Sequence, residues 1–292
     1  MFSGWTLAPP RCAKPTGPPE PRYVCTLGPY SSPTSIPFRL VGEHTRLHEF
    51  FETPTSVGLD EALLHLAAAQ PGATVDIERR LAELDGWADA IETHTVEGLR
   101  VLVYDRLDFR GDLHDYHDPA NSDLDAVLQR RLGMPITLAV VLLSIARRAG
   151  IPLEAVGLPG HFLVRDPLTG ELLDPFDRAR PQPPVALEQR TQAIGVELTP
   201  ELLAPIDDRL IVTRVVNNLT NSFVTRDVGQ LDWLIALRCS LPLEFQNVGA
   251  LIRLCEQRGR FGQAAELLER ASVVAESEDL RHRARALRAR LN

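Results

Sequence analysis

The sequence predicts an α+β fold: a helical N-terminal layer, a small antiparallel sheet over one buried helix, and an all-α tail. Three observations predict it. Residues 133–150, GMPITLAVVLLSIARRAG, carry apolar side chains in nearly every direction around a helix, the pattern of a helix enclosed on all sides. IPLEAVGL, HFLVRD and ELLDPF follow as short apolar runs separated by Pro-Gly and by Asp-Pro-Leu-Thr-Gly, which signals antiparallel strands joined by turns. From Asp207 onward the spacing is helical throughout.

Taken in order, residues 1–42 hold nine prolines and no sustained apolar period, so they bury too little surface to offset the entropy of ordering. We expect a disordered tail, or a start codon placed too early. An inert extension is expected there, in preference to a proline-rich docking segment. Residues 43–205 are expected to form one domain and 206–292 a second, helical one. In the first, Leu59–Ala69, Ile77–Ile91 and Val96–Leu107 have apolar residues three and four apart, a helical layer. In residues 109–131 Gly, Asp and Asn make a loop, and Ser122 with Asp125 resembles a capping box opening a short helix. The buried helix starts at Pro135, whose missing N–H would lack a partner there in any case, and ends in Arg147, Arg148 and Gly150. In the tail, Phe245–Arg258 and Phe261–Ala275 read as a helix pair around a Gly-containing turn.

Composition narrows the partners. The chain has 292 residues, 44% hydrophobic and 24% charged, with a net charge of -8 and a pI near 5.5. It therefore has no uniform basic surface to neutralise phosphates, and nucleic acid is not expected as the main partner. Cys12, Cys25, Cys239 and Cys255 form neither a CxxC motif nor a cluster with histidine, so neither zinc nor a disulfide framework is indicated. No apolar run reaches the ~18 residues of a membrane helix, and the start lacks a secretory pattern. A cytoplasmic protein with reduced thiols, no cofactor and no membrane contact is expected.

LPGHFLVRD, residues 158–166, sets His161 after a Pro-Gly turn at the head of a predicted strand. Asp174 lies thirteen residues on, a spacing at which two antiparallel strands can bring the pair within hydrogen-bond reach. His161 is then either a general base oriented by Asp174 or a satisfied histidine at a strand end. A base of this kind needs a nucleophile, and the N-terminus of a buried helix favours a thiolate.

Here a resemblance adds to the residues. Ala139, Arg147, Gly150, Ile151, Pro152, His161, Asp174 and Pro175 match the pattern of the transglutaminase-like, papain-related core. The position of its cysteine falls on Pro135, which has no nucleophilic side chain. FRG, YHDPANS, RRLGMPITLAV, PGHFLVR and LLDPF, in that order, resemble the bacterial SirB family, in which a transglutaminase-like domain precedes tetratricopeptide-like helices. The likeness covers roughly residues 57–275. It implies a fold with the cysteine generally absent, a regulatory association rather than a defined reaction, and Tyr116, Asp118 and Asn121 near the cleft.

Other candidates each have a plainer reading. Thr137 offers a hydroxyl near the lost nucleophile, or is simply a buried helical threonine. Cys239 and Cys255 sit at apolar-face positions, where a thiol acts as a small hydrophobe. In DLHDYHD, residues 112–118, His114 and His117 with Asp112, Asp115 and Asp118 could ligate a metal, or form a polar loop that holds its own turns; no metal is expected. The arginines of RHRARALRAR, residues 281–290, are a solvated face or a docking surface for an acidic partner. The leading expectation is a non-catalytic protein-binding or regulatory module with a peptide or protein partner, its cleft including Tyr116, Asp118, Asn121, Pro135, Thr137 and His161. The alternative is a cysteine-independent hydrolase using His161 and Asp174.

Overall fold

Helix α6, Pro135–Arg148, is the element around which the others are arranged. Every residue from Pro135 to Ala146 is buried, so its apolar surface must be covered from all sides. In a computed structural model that describes residues 45–53, 56–226, 228–241 and 245–291, five helices precede it. They are α1 (Thr45–Glu52), α2 (Leu59–Ala68), α3 (Ile77–Asp89), α4 (Val96–Arg100) and α5 (Leu124–Arg130). The expectations for residues 1–42, Cys12 and Cys25 lie outside the described residues. Helices α2 to α5 all touch α6, and Leu63, Leu84, Leu99, Val127 and Leu142 share its core.

Beyond α4 the chain widens over Val101–Arg106, with Leu107 N–H reaching back five residues to Leu102 O. That wider turn, frequent at functional sites, has no signature in the spacing of apolar residues. It is followed by β1 (Arg110–Gly111), which pairs in parallel with β2 (Leu132–Gly133) just before α6. Helix α5 starts differently from expectation. Asp123 rather than Ser122 caps it, its side chain accepting from Ala126 N–H, while Ser122 Oγ donates to Met134 Sδ at 3.1 Å.

After α6 come β3 (Glu154–Val156), β4 (Leu163–Arg165), β5 (Leu172–Asp174) and β6 (Arg180–Pro181), antiparallel and in that order across the sheet. The fourth strand is an addition to the three expected, too short to show in the sequence pattern. Along the outer side of β3 runs the segment Pro205–Ile206, whose Ile206 N–H donates to Ala155 O at 2.9 Å. The pleat sends alternate side chains to opposite faces. Ala155, Val164 and Leu173 join the main core with α6. Val156, Leu163 and Leu172 pack instead with Leu187 of α7 (Pro184–Ala193). The small sheet is therefore covered on both faces.

The remaining helices are α8 (Asp208–Arg226), α9 (Leu231–Ser240), α10 (Phe245–Gln257), α11 (Phe261–Val274) and α12 (Glu278–Arg288). Ile211, Val215 and Leu219 place α8 in the core shared with α6. Three of the terminal arginines reach neighbouring helices, while Arg281 and Arg285 pair with Glu278 of their own helix. Arg283 pairs with Glu256 of α10 at 2.8 Å, Arg288 with Glu269 of α11 at 2.7 Å, and Arg290 stacks over Phe261. These partners favour a helix-clamping role for the stretch over a surface reserved for an acidic partner. Among the described residues no helix is long and apolar enough to cross a membrane.

Candidate functional site

His161 lies in the turn before β4, its N–H donating to Leu158 O at 3.1 Å, not on the strand itself. The strand register places Val164 opposite Leu173, so Asp174 falls opposite Leu163 and His161 two residues further along the same face. Diagonal neighbours of that kind are within reach of long side chains. The expected pair forms: His161 Nε2 is 3.0 Å from Asp174 Oδ2.

Asp174 also opens the turn Pro175–Asp177, its Oδ1 accepting from Phe176 N–H at 2.9 Å. Burial pushes its carboxyl up, but the polar contacts with His161, the Phe176 N–H and Arg190 outweigh that and hold it below the usual carboxylate range. The turn is fixed from beneath by Tyr104, whose buried hydroxyl donates to Pro175 O at 2.8 Å.

The third member is Arg190 of α7, a residue the sequence reading did not single out. Its Nη1 lies 2.7 Å from His161 Nε2 and 3.4 Å from Asp174 Oδ2. Leu187 and Thr191 form the buried stripe of α7, and Arg190 stands beside it, on the helix that covers the dyad's face of the sheet. The one available signal is an arginine flanking a short apolar stripe, which does not say what it meets.

The start of α6 is occupied otherwise. Pro135 is buried at the first helical position. Thr137, fully buried, accepts from Met134 N–H at 3.1 Å and donates to Asn121 O at 2.7 Å. Its hydroxyl thus caps the helix start. Among the described residues no hydrogen bond or ion pair joins the dyad to Met134, Pro135 or Thr137. Helix α8 connects the two regions instead. Arg214 Nη2 donates to Leu158 O at 2.8 Å and to His161 O at 3.3 Å, and one turn along Asn218 Nδ2 donates to Met134 Sδ at 3.5 Å.

The loop residues divide. Tyr116 is partly exposed and packs edge-on against Phe176, ring centroids 5.7 Å apart, next to the Asp174 turn. Burial, then the Asp174 charge, raises its phenol. Asn121, expected at a cleft rim, is completely buried. Its Nδ2 donates to Asp115 O at 2.7 Å and to Asp112 Oδ2 at 3.2 Å, closing the loop on itself. Asp118 does similar work, accepting from Ala120 N–H at 2.9 Å and pairing with Arg130 at 3.2 Å.

Asp112 accepts from the N–H groups of Asp115 and His114, and these with Asn121 hold its carboxyl down against the effect of burial. Its lone pairs are thus committed to the loop. Among the described residues no group of three or more metal-ligating side chains comes together. In the tail, hydrogen bonding to Cys255 together with burial pushes the Cys239 thiol up, away from the thiolate a nucleophile requires.

Comparison with known proteins gives a consistent family. The model of the transglutaminase-like superfamily matches residues 72–217. A UPF0162 protein of Xylella fastidiosa strain Temecula1 is 38% identical over 146 residues, 47% of this chain and 50% of that protein. A UPF0162 protein of Vibrio cholerae is 30% identical over 186 residues, 59% of this chain and 66% of that protein. Human F-box only protein 21 is 31% identical over 160 residues, 52% of this chain and 25% of that protein. The chain spans about half the length of the Xylella relatives it matches. No solved structure matches it.

Proposed function

The chain belongs to the transglutaminase-like superfamily, and from that premise we propose that it is a non-catalytic binding or regulatory module whose cleft holds a peptide or protein segment. One observation carries the reading. Pro135, to which the resemblance assigns the position of the core's cysteine, is buried and the neighbouring Thr137 hydroxyl is committed, yet His161 and Asp174 are paired with part of His161 open to solvent. A histidine and carboxylate without a nucleophile keep their capacity to recognise polar groups.

In this proposal residues 43–205 carry the cleft, with Tyr116 and Phe176 at its rim, and residues 206–292 are a tetratricopeptide-like domain whose helices supply a second surface. The likeness to the SirB family and a cytoplasmic location belong to the same proposal. The test is affinity purification with mass spectrometry from a bacterial lysate, wild type against His161→Ala. A partner retained by wild type and lost by the variant is expected; identical captures overturn the reading.

A second reading is favoured by the 3.0 Å dyad itself: water activated by His161 for amide or ester hydrolysis. General-base catalysis by a positioned histidine contributes ~100- to 10,000-fold. A screen of ester, amide and isopeptide substrates decides it, since equal background turnover by wild type and His161→Ala rejects it.

A further inference from the structure

We propose that Arg190 sets the tautomer of His161, and that the cleft takes a peptide carboxylate which draws Arg190 off the imidazole. The second half rests on the binding reading above. His161 Nε2 faces two partners of opposite character: Asp174 Oδ2 at 3.0 Å and Arg190 Nη1 at 2.7 Å. An ionised carboxylate only accepts and a guanidinium only donates, whereas one nitrogen of a neutral imidazole is either N–H or lone pair.

If Nε2 carries the proton, it donates to Asp174 and two donors confront each other at the shorter contact. If Nε2 carries the lone pair, it accepts from Arg190, and the ring proton sits on Nδ1. With Arg190 seated, the second arrangement holds. The same Nη1, 3.4 Å from Asp174 Oδ2, lies close enough to offset the carboxylate charge that now faces a lone pair.

This has a chemical consequence for what the site can recognise. Among the described residues, the hydrogen bonds of Arg190 are made by Nη1 alone, and its side chain is 47% exposed. The Nε and Nη2 donors are thus free, and His161 Nδ1–H has no partner among the described residues. Beside the largely buried Asp174 carboxylate the site thus presents unused donors, including the guanidinium fork that fits a carboxylate through two parallel hydrogen bonds. Around it stand apolar side chains. Ile194, more than half exposed, closes one turn beyond Arg190 beside Gly160, and Tyr116 rests on Phe176. A carboxylate flanked by an apolar residue on a peptide suits that combination, whether the carboxylate ends the chain or belongs to Asp or Glu.

The fixed charge of Asp174 opposes an anion at the imidazole, so the incoming carboxylate is met by Arg190 turning toward it. Nε2 then loses its donor and takes the proton to serve Asp174, and Nδ1 is left with the lone pair. Ligand binding and tautomer exchange are two faces of one equilibrium, and each must shift the other.

The test is two-bond 1H–15N NMR of the His161 ring in the full chain, assigned with His161→Gln. Wild type is compared with Arg190→Leu and Arg190→Ala, and amide spectra confirm the folded state of each. Wild type is expected to show the proton on Nδ1, and both variants the proton on Nε2. Three probes are then titrated: an acetylated Ala-Ala-Leu peptide with a free carboxylate, its amide, and an amidated peptide with an internal Glu.

The amide is expected to leave wild type unchanged. The free acid, the Glu peptide or both are expected to move it to the Nε2 form, which identifies the source, and to bind Arg190→Leu roughly 10- to 100-fold more weakly. A wild-type ring already protonated on Nε2, or one that neither variant changes, overturns the tautomer assignment. If all three peptides leave the ring unchanged at millimolar concentration, or the amide acts like the acid, the carboxylate assignment falls. It does so even where a lysate partner binds, so this failure is separable from failure of the binding reading.

Discussion

Arg214 fills the space that a side chain at Gly157 would need: a Cβ there would lie 2.2 Å from Arg214 Nη1 and 2.9 Å from Ile206 Cδ1. The guanidinium is held in that place by the carbonyls of Leu158 and His161 and lies over the Phe162 ring. Gly157→Ala must therefore displace a strut of the His161 turn, and a cost of about 1–3 kcal/mol is expected. In an Arg214→Ala background the closer of the two clashes is gone, Ile206 Cδ1 alone remaining within 3 Å, and the same substitution should cost less. Urea unfolding of the four proteins in the cycle measures the coupling.

Thr137→Val keeps shape but removes the hydroxyl that links Met134 N–H to Asn121 O. Both groups lose a partner in a fully buried place, so a loss of about 1–3 kcal/mol is expected. Thr137→Ser keeps the hydroxyl and should lose less. Equal destabilisation by both would show that packing, and not the cap, decides.

The lowered carboxyl of Asp174 predicts an acid-sensitive increment of stability. A group depressed in the native state contributes above its unfolded value, about 3.9, and the contribution disappears as pH falls through the native value. Wild type should thus exceed Asp174→Asn in stability at pH 5, and the gap should shrink as pH falls below the unfolded value of about 3.9. Denaturation midpoints at stepped pH check the sign.

Arg283→Ala and Arg288→Ala remove exposed ion pairs of α12, for which about 0–1 kcal/mol each is expected, less at high salt. Leu268→Ala, in the buried interface of α11, should cost about 2–5 kcal/mol. Thermal unfolding in low and high salt separates the two kinds of contribution.

What the sequence disclosed depended on how local the cause was. Helix α6 was legible because its own residues leave no polar face and Pro135 marks its start. The pairing of His161 with Asp174 was legible because a short turn between antiparallel strands limits which residues can meet. Arg190 was not, since it arrives on a separate helix 29 residues after His161 and nothing in its neighbours announces the dyad.

Asn121 bonds its own loop, as the polar-loop reading expects, and so lies inside it and not at a cleft rim. Its partners, Asp112 and Asp115, are close in sequence, but only the folded loop turns them inward. Likewise β6 is two residues long, below the length at which alternation is visible.

The two ends of the sheet have a bearing on how any segment could be held. At one end β6 is a two-residue strand containing Pro181, which lacks an N–H to offer. At the other, β3 is already flanked by Pro205–Ile206. The backbone edges of this four-stranded sheet therefore offer little to a visiting chain, either for recognition or for edge-to-edge aggregation. A segment held against this sheet has then to be read out by side chains, one polar contact at a time.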